Sequence, residues 1–206
     1  MPKPLFPLVG SRAAATVGSR STLGITISSP PEKVTPRGVF LPQYNELFLS
    51  LVSGPLTADT IVDCVRDTWG LLTARFPTVQ TLMLNLDNGP ENHARRTQFM
   101  YRLTTLADEC LLTIYPSYHS KYNPVERVWG VLEQHWNGSL LDSITTVVQL
   151  AKTMTYKHVQ SLVKLLTKTY ATGVKLTHKA ITELEQRFER WGGLEKYFVR
   201  IAPVPI

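Results

Sequence analysis

The feature that most constrains the fold is an alternation of short apolar runs with segments of helical periodicity over residues 38–136. Apolar runs of strand length lie at 38–42 and 46–52 around a tight turn, then at 81–86 and at 111–115. Apolar residues at helical spacing fill the intervals between these runs and follow the last one. The order hairpin, helix, strand, helix, strand, helix predicts an α/β protein, a mixed sheet flanked by helices.

Capping and breaking residues mark the ends of the predicted helices. Thr57 is the expected N-cap of the first helix, and Pro77 ends it. Residues 92–110 form the second predicted helix, and Pro124 stands at the start of the third. Each helix is therefore long enough to cover the face of a sheet.

Composition and periodicity divide the chain into three predicted segments. Residues 1–35 are rich in proline and predict an irregular leader, in which only 23–27 has strand character. Residues 36–140 hold the α/β core. Residues 141–206 are predicted to form a helical C-terminal tail, in which 143–191 is all helical in about three pieces and Thr177 caps the last of them.

Composition excludes several classes of protein. With 43% apolar and 18% charged residues, the 206-residue chain is neither disordered nor fibrous. Its apolar runs are too short to predict a membrane-spanning helix. Cys64 and Cys110 lack the spacing of a metal or redox pair, which favours a reducing, cytoplasmic location. The net charge of +6 at pH 7 is a mild indication of nucleic acid as a partner.

Two carboxylates are candidates for chemistry. Asp87 directly follows the apolar run at 81–86, and Glu126 lies in the first turn of the helix that begins near Pro124. In open α/β sheets, ligands gather at the carboxyl ends of strands, and a helix that begins beside this edge brings a second carboxylate close to the first. Such a pair suits Mg²⁺, which prefers oxygen ligands and acts in phosphoryl transfer.

Both carboxylates also have purely structural explanations. Asp87 opens the turn sequence Asp-Asn-Gly, in which the polar side chains bond their own backbone and glycine supplies a positive φ. Glu126 is three residues after Asn123, which is the spacing of a capping box. The residues alone leave a metal site and a local structural role open.

Basic residues near these carboxylates and in the tail are candidate contacts to DNA phosphates. The tail has no acid between Asp142 and Glu183, and on a helix Lys164 and Lys168 would share one face, where a polyanion relieves their repulsion. For each of these residues, the alternative is a side chain that is simply exposed to solvent. The candidate DNA-binding residues are Arg95, Arg96, His119, Lys121, Lys152, Lys157, Lys164 and Lys168.

Several stretches of the sequence carry a family resemblance. They read LNLDNGPEN at 84–92, RRTQFM at 95–100, YHSKYNPVERVWGVLEQHWNG at 118–138 and TGVKLT at 172–177. Together they closely resemble the ISAzo13-type insertion-sequence transposases, which belong with the DDE transposases of RNase H-like fold. The resemblance extends over about residues 36–199.

The resemblance implies a metal-dependent DNA strand-transfer enzyme of RNase H-like fold. It implies that Asp87 is the second catalytic aspartate and Glu126 the catalytic glutamate, both ligands of paired Mg²⁺ (or Mn²⁺) ions. Water attacks a phosphodiester at the element's end, and the freed 3′-hydroxyl then attacks target DNA. The implied partners are transposon ends and target DNA, together with a second copy or a full-length transposase, and the implied location is the nucleoid.

One departure from the family's pattern bears on activity. The family's first catalytic aspartate lies on a strand upstream of the predicted hairpin, whereas Glu32 is the only acid in residues 1–33. We therefore expect the first strand to be missing or replaced, and a chain that is the C-terminal half of a transposase and is inactive alone. The alternatives are a non-catalytic remnant that binds DNA or a transposase, and a product without function that folds poorly.

Overall fold

Eleven strands and five helices lie within the residues that the structure, a computed structural model, describes: 12–19, 25–28, 31–86, 89, 91–92, 96–116, 123–193, 195 and 198–204. The strands are β1 (Arg12–Ser19), β2 (Ile25–Ser28), β3 (Pro31–Leu41), β4 (Glu46–Ser53), β5 (Thr81–Leu86), β6 (Leu111–Pro116), β7 (Thr155–Tyr156), β8 (Val159–Gln160), β9 (Leu162–Leu166), β10 (Phe188–Arg190) and β11 (Val199–Ile201). The helices are α1 (Ala58–Arg75), α2 (Thr97–Ala107), α3 (Val125–Trp136), α4 (Ile144–Thr153) and α5 (His178–Glu185).

A nine-stranded mixed sheet forms the centre of the fold. Its strand order is β10-β11-β6-β5-β1-β3-β4-β9, and β2 pairs with β3 outside this path. β1, β3 and β4 are successive antiparallel neighbours, whereas β5 and β6 run parallel to β1 on its other side. The central order β4-β3-β1-β5-β6 is that of the RNase H-like fold, which confirms the predicted fold class.

β1 occupies the position of the first strand of this fold. Val17 is in register with Val39 of β3 on one side and with Leu86 of β5 on the other. The prediction of an irregular leader over 1–35 is therefore wrong for its described residues, which form β1, β2 and the start of β3. The alanine-rich segment has weak strand propensity, but its backbone N–H and C=O groups find partners between β3 and β5.

The tail contains strands as well as helices, so the prediction that residues 143–191 are all helical is wrong. α4 and α5 are present, and the Thr177 side chain caps α5 as expected, by accepting the Ala180 N–H. β9 extends the sheet beyond β4, with Leu165 in register with Leu51, and β10 and β11 extend the opposite edge. The apolar run of β9 is a strand because the edge of β4 offers it unpaired backbone groups.

The helices cover both faces of the sheet, which separates two apolar cores. Leu82 and Leu84 of β5 pack with α1 and α2 on one face, together with residues of α5 and β11. Leu47, Leu49 and Leu51 of β4 pack with α3 and α4 on the other face. Alternate residues of a strand point to opposite faces, so both cores are built from the same strands. Within the described ranges, no helix is long and apolar enough to cross a membrane.

One edge of the sheet collects the carboxyl ends of its parallel strands. β1, β4, β5, β6 and β9 all run in the same direction, since β3 is antiparallel to both β1 and β4. α1, α2 and α3 follow β4, β5 and β6 in the chain, so their amino ends lie toward this edge. Ligands of open α/β sheets bind at such an edge, so the residues around it are candidates for a functional site.

Candidate metal and DNA site

Glu126 lies in the first turn of α3, toward the edge where the parallel strands end. The N-cap of α3 is Pro124, and no side chain caps the helix. The Asn123 side chain accepts a 3.4 Å hydrogen bond from the Val125 N–H, and the Asn123 carbonyl accepts the Glu126 N–H at 3.1 Å. Asn123 thus forms a short turn that leads into α3, rather than its N-cap.

Trp129, one turn after Glu126, fixes α3 against the sheet. Its side chain is fully buried, and a Cβ on Gly38 of β3 would lie 2.7 Å from Trp129 Cη2. Only glycine permits this close approach of the indole to the strand. The same packing therefore determines where the first turn of α3, with Glu126, lies relative to the sheet.

Asp87 directly follows the last residue of β5 and lies outside the described residues. β5 ends at Leu86, which is buried and is in register with Pro116, the last residue of β6. β5 and β6 therefore end together, and α3 is the next helix after β6. The strand that precedes Asp87 and the helix that carries Glu126 are therefore both described, and the two follow neighbouring strands of the sheet.

The central strand beside β5 contributes no acid to this edge. β1 reads RAAATVGS, so alanine, threonine, valine and glycine occupy the strand on which the resemblance implies the first aspartate. Among the residues that the structure describes, no group of three His, Cys, Asp or Glu side chains could hold a metal ion. Asp87 and Glu126 are hard oxygen donors that fit Mg²⁺ or Mn²⁺ in kind, one carboxylate short of the set that the resemblance implies.

Asp63 of α1 is the centre of a partly buried ion-pair cluster on the other face of the sheet. Its carboxylate accepts hydrogen bonds from Arg102 Nη2 at 2.5 Å, Lys168 Nζ at 2.8 Å and the Tyr170 hydroxyl at 2.9 Å. Burial alone would raise the pKa of Asp63, but hydrogen bonds from Lys168 and Tyr170 and the charge of Arg102 lower it below its ordinary 3.8. Burial and this carboxylate raise the pKa of Tyr170. The cluster joins α1, α2 and the segment after β9.

Lys164 and Lys168 do not form the helical face that the sequence predicts. Lys164 lies on strand β9, and its Nζ is 2.5 Å from an Asp67 carboxylate oxygen of α1. Lys168 follows β9 and pairs with Asp63. Acids of α1, a distant part of the chain, therefore offset both charges. The tail itself has no acid nearby, so its sequence did not predict these pairs. Contact of the two lysines with DNA stays a prediction.

Three of the remaining basic candidates lie within the described residues, each in a different part of the fold. Arg96 is the N-cap residue of α2, and its side chain, 45% exposed, forms a 2.9 Å ion pair with Glu91. Lys152 in the last turn of α4 and Lys157 in the turn between β7 and β8 are exposed. The other candidates, Arg95, His119 and Lys121, lie outside the described residues.

The polar pairing between α1 and α2 was not predicted from the sequence. Asp59 and Asp63 lie four residues apart on α1, and Gln98 and Arg102 lie four residues apart on α2. Arg102 donates to both carboxylates, and Gln98 donates to Asp59. Two acceptors at i,i+4 on α1 and two donors at i,i+4 on α2 form the pattern that would have predicted these hydrogen bonds.

A mixed sheet of RNase H-like topology, with carboxylates after its parallel strands, defines the class of RNase H-like nucleases and transposases. The family described as "Rhodopirellula transposase DDE domain" matches residues 25–203, most of the chain, and the chain belongs to this family. The resemblance to ISAzo13-type transposases is thereby confirmed. β1 precedes the matched residues.

Comparison with solved structures finds the human cytomegalovirus terminase nuclease domain. The chain is similar to it at 10% sequence identity and a TM-score of 0.37, over 86% of this chain and 75% of that one. The Mn-soaked, inhibitor-bound form gives 9% identity and a TM-score of 0.35, over 86% and 74% of the two chains. No curated protein sequence matches the chain.

Proposed function

We propose that this chain is the strand-transfer domain of an insertion-sequence transposase, that Asp87 and Glu126 hold a divalent cation, and that the chain binds DNA but does not cut it unaided. The observation that carries the proposal is the place of Glu126 in a chain of the DDE family. It lies at the amino end of α3, which follows β6 at the edge where β5 leads to Asp87.

The residue types at this edge fit a bound cation. Carboxylate oxygens of Asp87 and Glu126 are the hard ligands that Mg²⁺ and Mn²⁺ prefer. Glu126 lies in the first turn of α3, where the partial positive charge of the helix end favours a negatively charged side chain. A divalent cation supplies stabilisation of the attacking and leaving oxygens of a phosphodiester.

Exposed basic residues would supply the contacts to the DNA backbone. Lys152, Lys157 and Arg96 are solvent-exposed, so phosphates can reach them without breaking the core. Contacts of this kind release counterions, and the affinity therefore falls steeply as the salt concentration rises. They position DNA without reading its sequence.

The acid-free β1 is the reason for proposing that the chain does not cut DNA alone. Outer-shell changes at metal sites already cost about 10–100-fold in affinity or activity, and the loss of a ligand should cost more. Position 16 of β1 is in register with Asn85 of β5 and with Phe40, which packs on the α3 side of the sheet. Thr16→Asp therefore adds a carboxylate in the strand next to β5, at a position in register with both neighbouring strands.

Nicking of supercoiled plasmid in Mg²⁺ or Mn²⁺ tests the proposal. We expect the wild type to bind the plasmid and nick it at background rate, and Thr16→Asp to nick it only with the cation. Adding Glu126→Gln to Thr16→Asp should abolish nicking. Adding Glu133→Gln, the same change two turns further along α3, should not. Nicking that survives Glu126→Gln would remove Glu126 from the site, and absence of DNA binding at low salt would refute the proposal.

A non-catalytic role in binding DNA or a transposase is the second candidate, and the acid-free β1 favours it. This role predicts wild-type binding that weakens with salt, as above. It differs in predicting that Thr16→Asp stays at background rate in both cations. The nicking assay therefore separates a site that lacks one ligand from a surface that only binds.

A further inference from the structure

The hairpin of β7 and β8 ends in a two-residue turn with an unusual backbone. Tyr156 pairs with Val159, so Lys157 and His158 form the tip, and both are exposed. Their φ angles are 48° and 68°, in the left-handed region that asparagine and glycine adopt most easily in such turns. Backbone strain in other residue types persists only where the surrounding structure fixes it, and it clusters at functional sites. The tip is therefore a candidate contact surface.

The base of this hairpin is fixed to the core and to α4. The Tyr156 ring meets the buried Phe40 ring edge-on, with centroids 5.4 Å apart. The side chain of Gln160 donates a 2.7 Å hydrogen bond to the Lys152 carbonyl in the last turn of α4. Met154, directly before β7, is fully buried. A tip held in this way loses little conformational freedom when it binds a partner.

The positive charges at the hairpin have no carboxylate beside them. Within the described ranges, neither Lys152 nor Lys157 forms an ion pair, whereas Lys164 and Lys168 of the same tail both pair with acids of α1. Lys157 Nζ lies 5.6 Å from the centroid of the Tyr156 ring, a contact that orients the ammonium group and leaves its charge intact. Both charges are therefore available to an anion from outside the chain.

The hairpin lies on the same face of the sheet as Glu126 but toward the opposite edge. Tyr156 packs on the core that α3 and α4 cover. Its partner Phe40 is in register with Leu47, near the start of β4, so the hairpin lies toward the amino ends of the parallel strands. β4 has eight residues and spans about 25 Å between the two edges. A contact at the hairpin is therefore separate from the cation site, and a duplex that lies along this face reaches both.

We propose that the tip of the β7–β8 hairpin is a contact to the backbone of duplex DNA, in which Lys157, His158 and the adjacent Lys152 bind phosphates. The proposal rests on the proposed DNA function and assigns a contact to an element remote from the cation site. The donors are exposed and lie side by side, which suits the repeated phosphates of a polyanion rather than one enclosed small anion. Such contacts position the duplex without reading its sequence.

Fluorescence anisotropy with a labelled duplex of about 20 base pairs, over a series of salt concentrations, tests the proposal. The turn variant carries Lys157→Asn together with His158→Gly, the most favourable residues for this turn. We expect it to have a higher Tm than the wild type and yet to bind DNA roughly 5- to 10-fold more weakly at about 0.1 M salt. The slope of log K against log[salt] should fall by about 0.9, the value of one phosphate contact. A merely structural role of the tip would not move stability and affinity in opposite directions.

Three further variants of the full chain assign the effect to the hairpin. Lys152→Gln leaves the turn unchanged and should weaken binding by a similar factor. Lys157→Arg keeps the charge and should keep the affinity. Lys179→Gln removes one exposed charge from α5, on the other face of the sheet, and should change neither affinity nor slope. An equal loss with Lys179→Gln would show that only net charge matters, and would overturn the hairpin proposal.

The two proposals fail in different ways. Wild-type affinity and slope in the turn variant, with salt-sensitive binding retained, would overturn the hairpin contact and leave the DNA function standing. Absence of wild-type binding to the duplex at low salt would overturn the DNA function and the hairpin contact together.

Discussion

Replacing Asp63 with asparagine tests whether the ion-pair cluster around it stabilises the fold. Asparagine keeps the size and shape of the side chain but removes the negative charge that three donors face. Those donors come from α2 and from the segment after β9, namely Arg102, Lys168 and Tyr170. The substitution should therefore loosen the packing of both against α1.

The expected loss follows from how exposed each donor is. The Lys168 side chain is 64% exposed, so its pair contributes about 0–1 kcal/mol. Arg102 is 22% exposed, and hydrogen bonds to a charged group are worth about 1.5–3 kcal/mol each. Arg102 keeps its second partner, Asp59, which limits the damage. We expect Asp63→Asn to lower the free energy of unfolding by about 2–3 kcal/mol, a fall in Tm of about 4–12 °C for a domain of this size.

The effect should depend on pH in a defined direction. The pKa of Asp63 in the folded chain is below its ordinary 3.8, so its contribution is fully present above that pH and is lost as the pH falls through the folded pKa. The difference between the wild type and Asp63→Asn should be constant from about pH 5 to about pH 8. It should shrink in more acidic solution, where the wild-type carboxyl is itself protonated.

Thermal unfolding followed by circular dichroism measures the loss, and Asp67→Asn is the matched control. Asp67 lies one turn further along α1 and pairs with Lys164, with side chains 45% and 58% exposed. Such a pair contributes about 0–1 kcal/mol, so the control should change Tm by about 4 °C or less, below the fall expected for Asp63→Asn. Equal effects of the two variants, or a difference that persists at acidic pH, would refute this account of the cluster.

Two further predictions concern the packing of α3 and the buried thiols. Gly38→Ala should lower the free energy of unfolding by about 1–3 kcal/mol in urea titrations, because the new methyl group overlaps Trp129, whereas Gly130→Ala on exposed α3 surface should be neutral or stabilising by up to about 1 kcal/mol. Equal effects would show that α3 does not depend on the glycine. Burial raises the pKa of Cys110 to about 12, so this thiol should react with a disulfide reagent at pH 8 only as fast as the chain unfolds, and rapid reaction of the native protein would contradict its burial.

The central part of the fold was predictable because its signals are local. β4 and β5 are apolar runs of strand length bounded by turn residues, and α1 begins at the expected N-cap, with a capping box between Thr57 and Thr60. The start of α3 near Pro124 follows from the same kind of signal. Glu126 therefore lies in the first turn of α3, as predicted, since this position depends only on where the helix begins.

Long-range pairing explains why the tail was predicted wrongly. The run LVKLL of β9 is short and apolar, and periodicity cannot assign such a run to a helix or a strand. Its strand form depends on β4, more than a hundred residues earlier, which offers an open edge in register from Phe48 to Val52. The ion pairs of Lys164 and Lys168 follow from that placement, because β9 brings both lysines to the acids of α1.

β1 completes the sheet through its backbone without contributing an acidic residue. It precedes the part of the chain that matches the transposase family, yet it lies between β3 and β5 and pairs with both. Without it, the facing backbone groups of two buried strands would lose their partners, at a cost that no other described segment is placed to offset. Backbone pairing sets almost no requirement on the side chains of the strand, so a segment with no acid can complete the sheet. The same lack of a requirement leaves the strand beside β5 without the third carboxylate that the proposed cation site would use, which is the gap that Thr16→Asp is designed to fill.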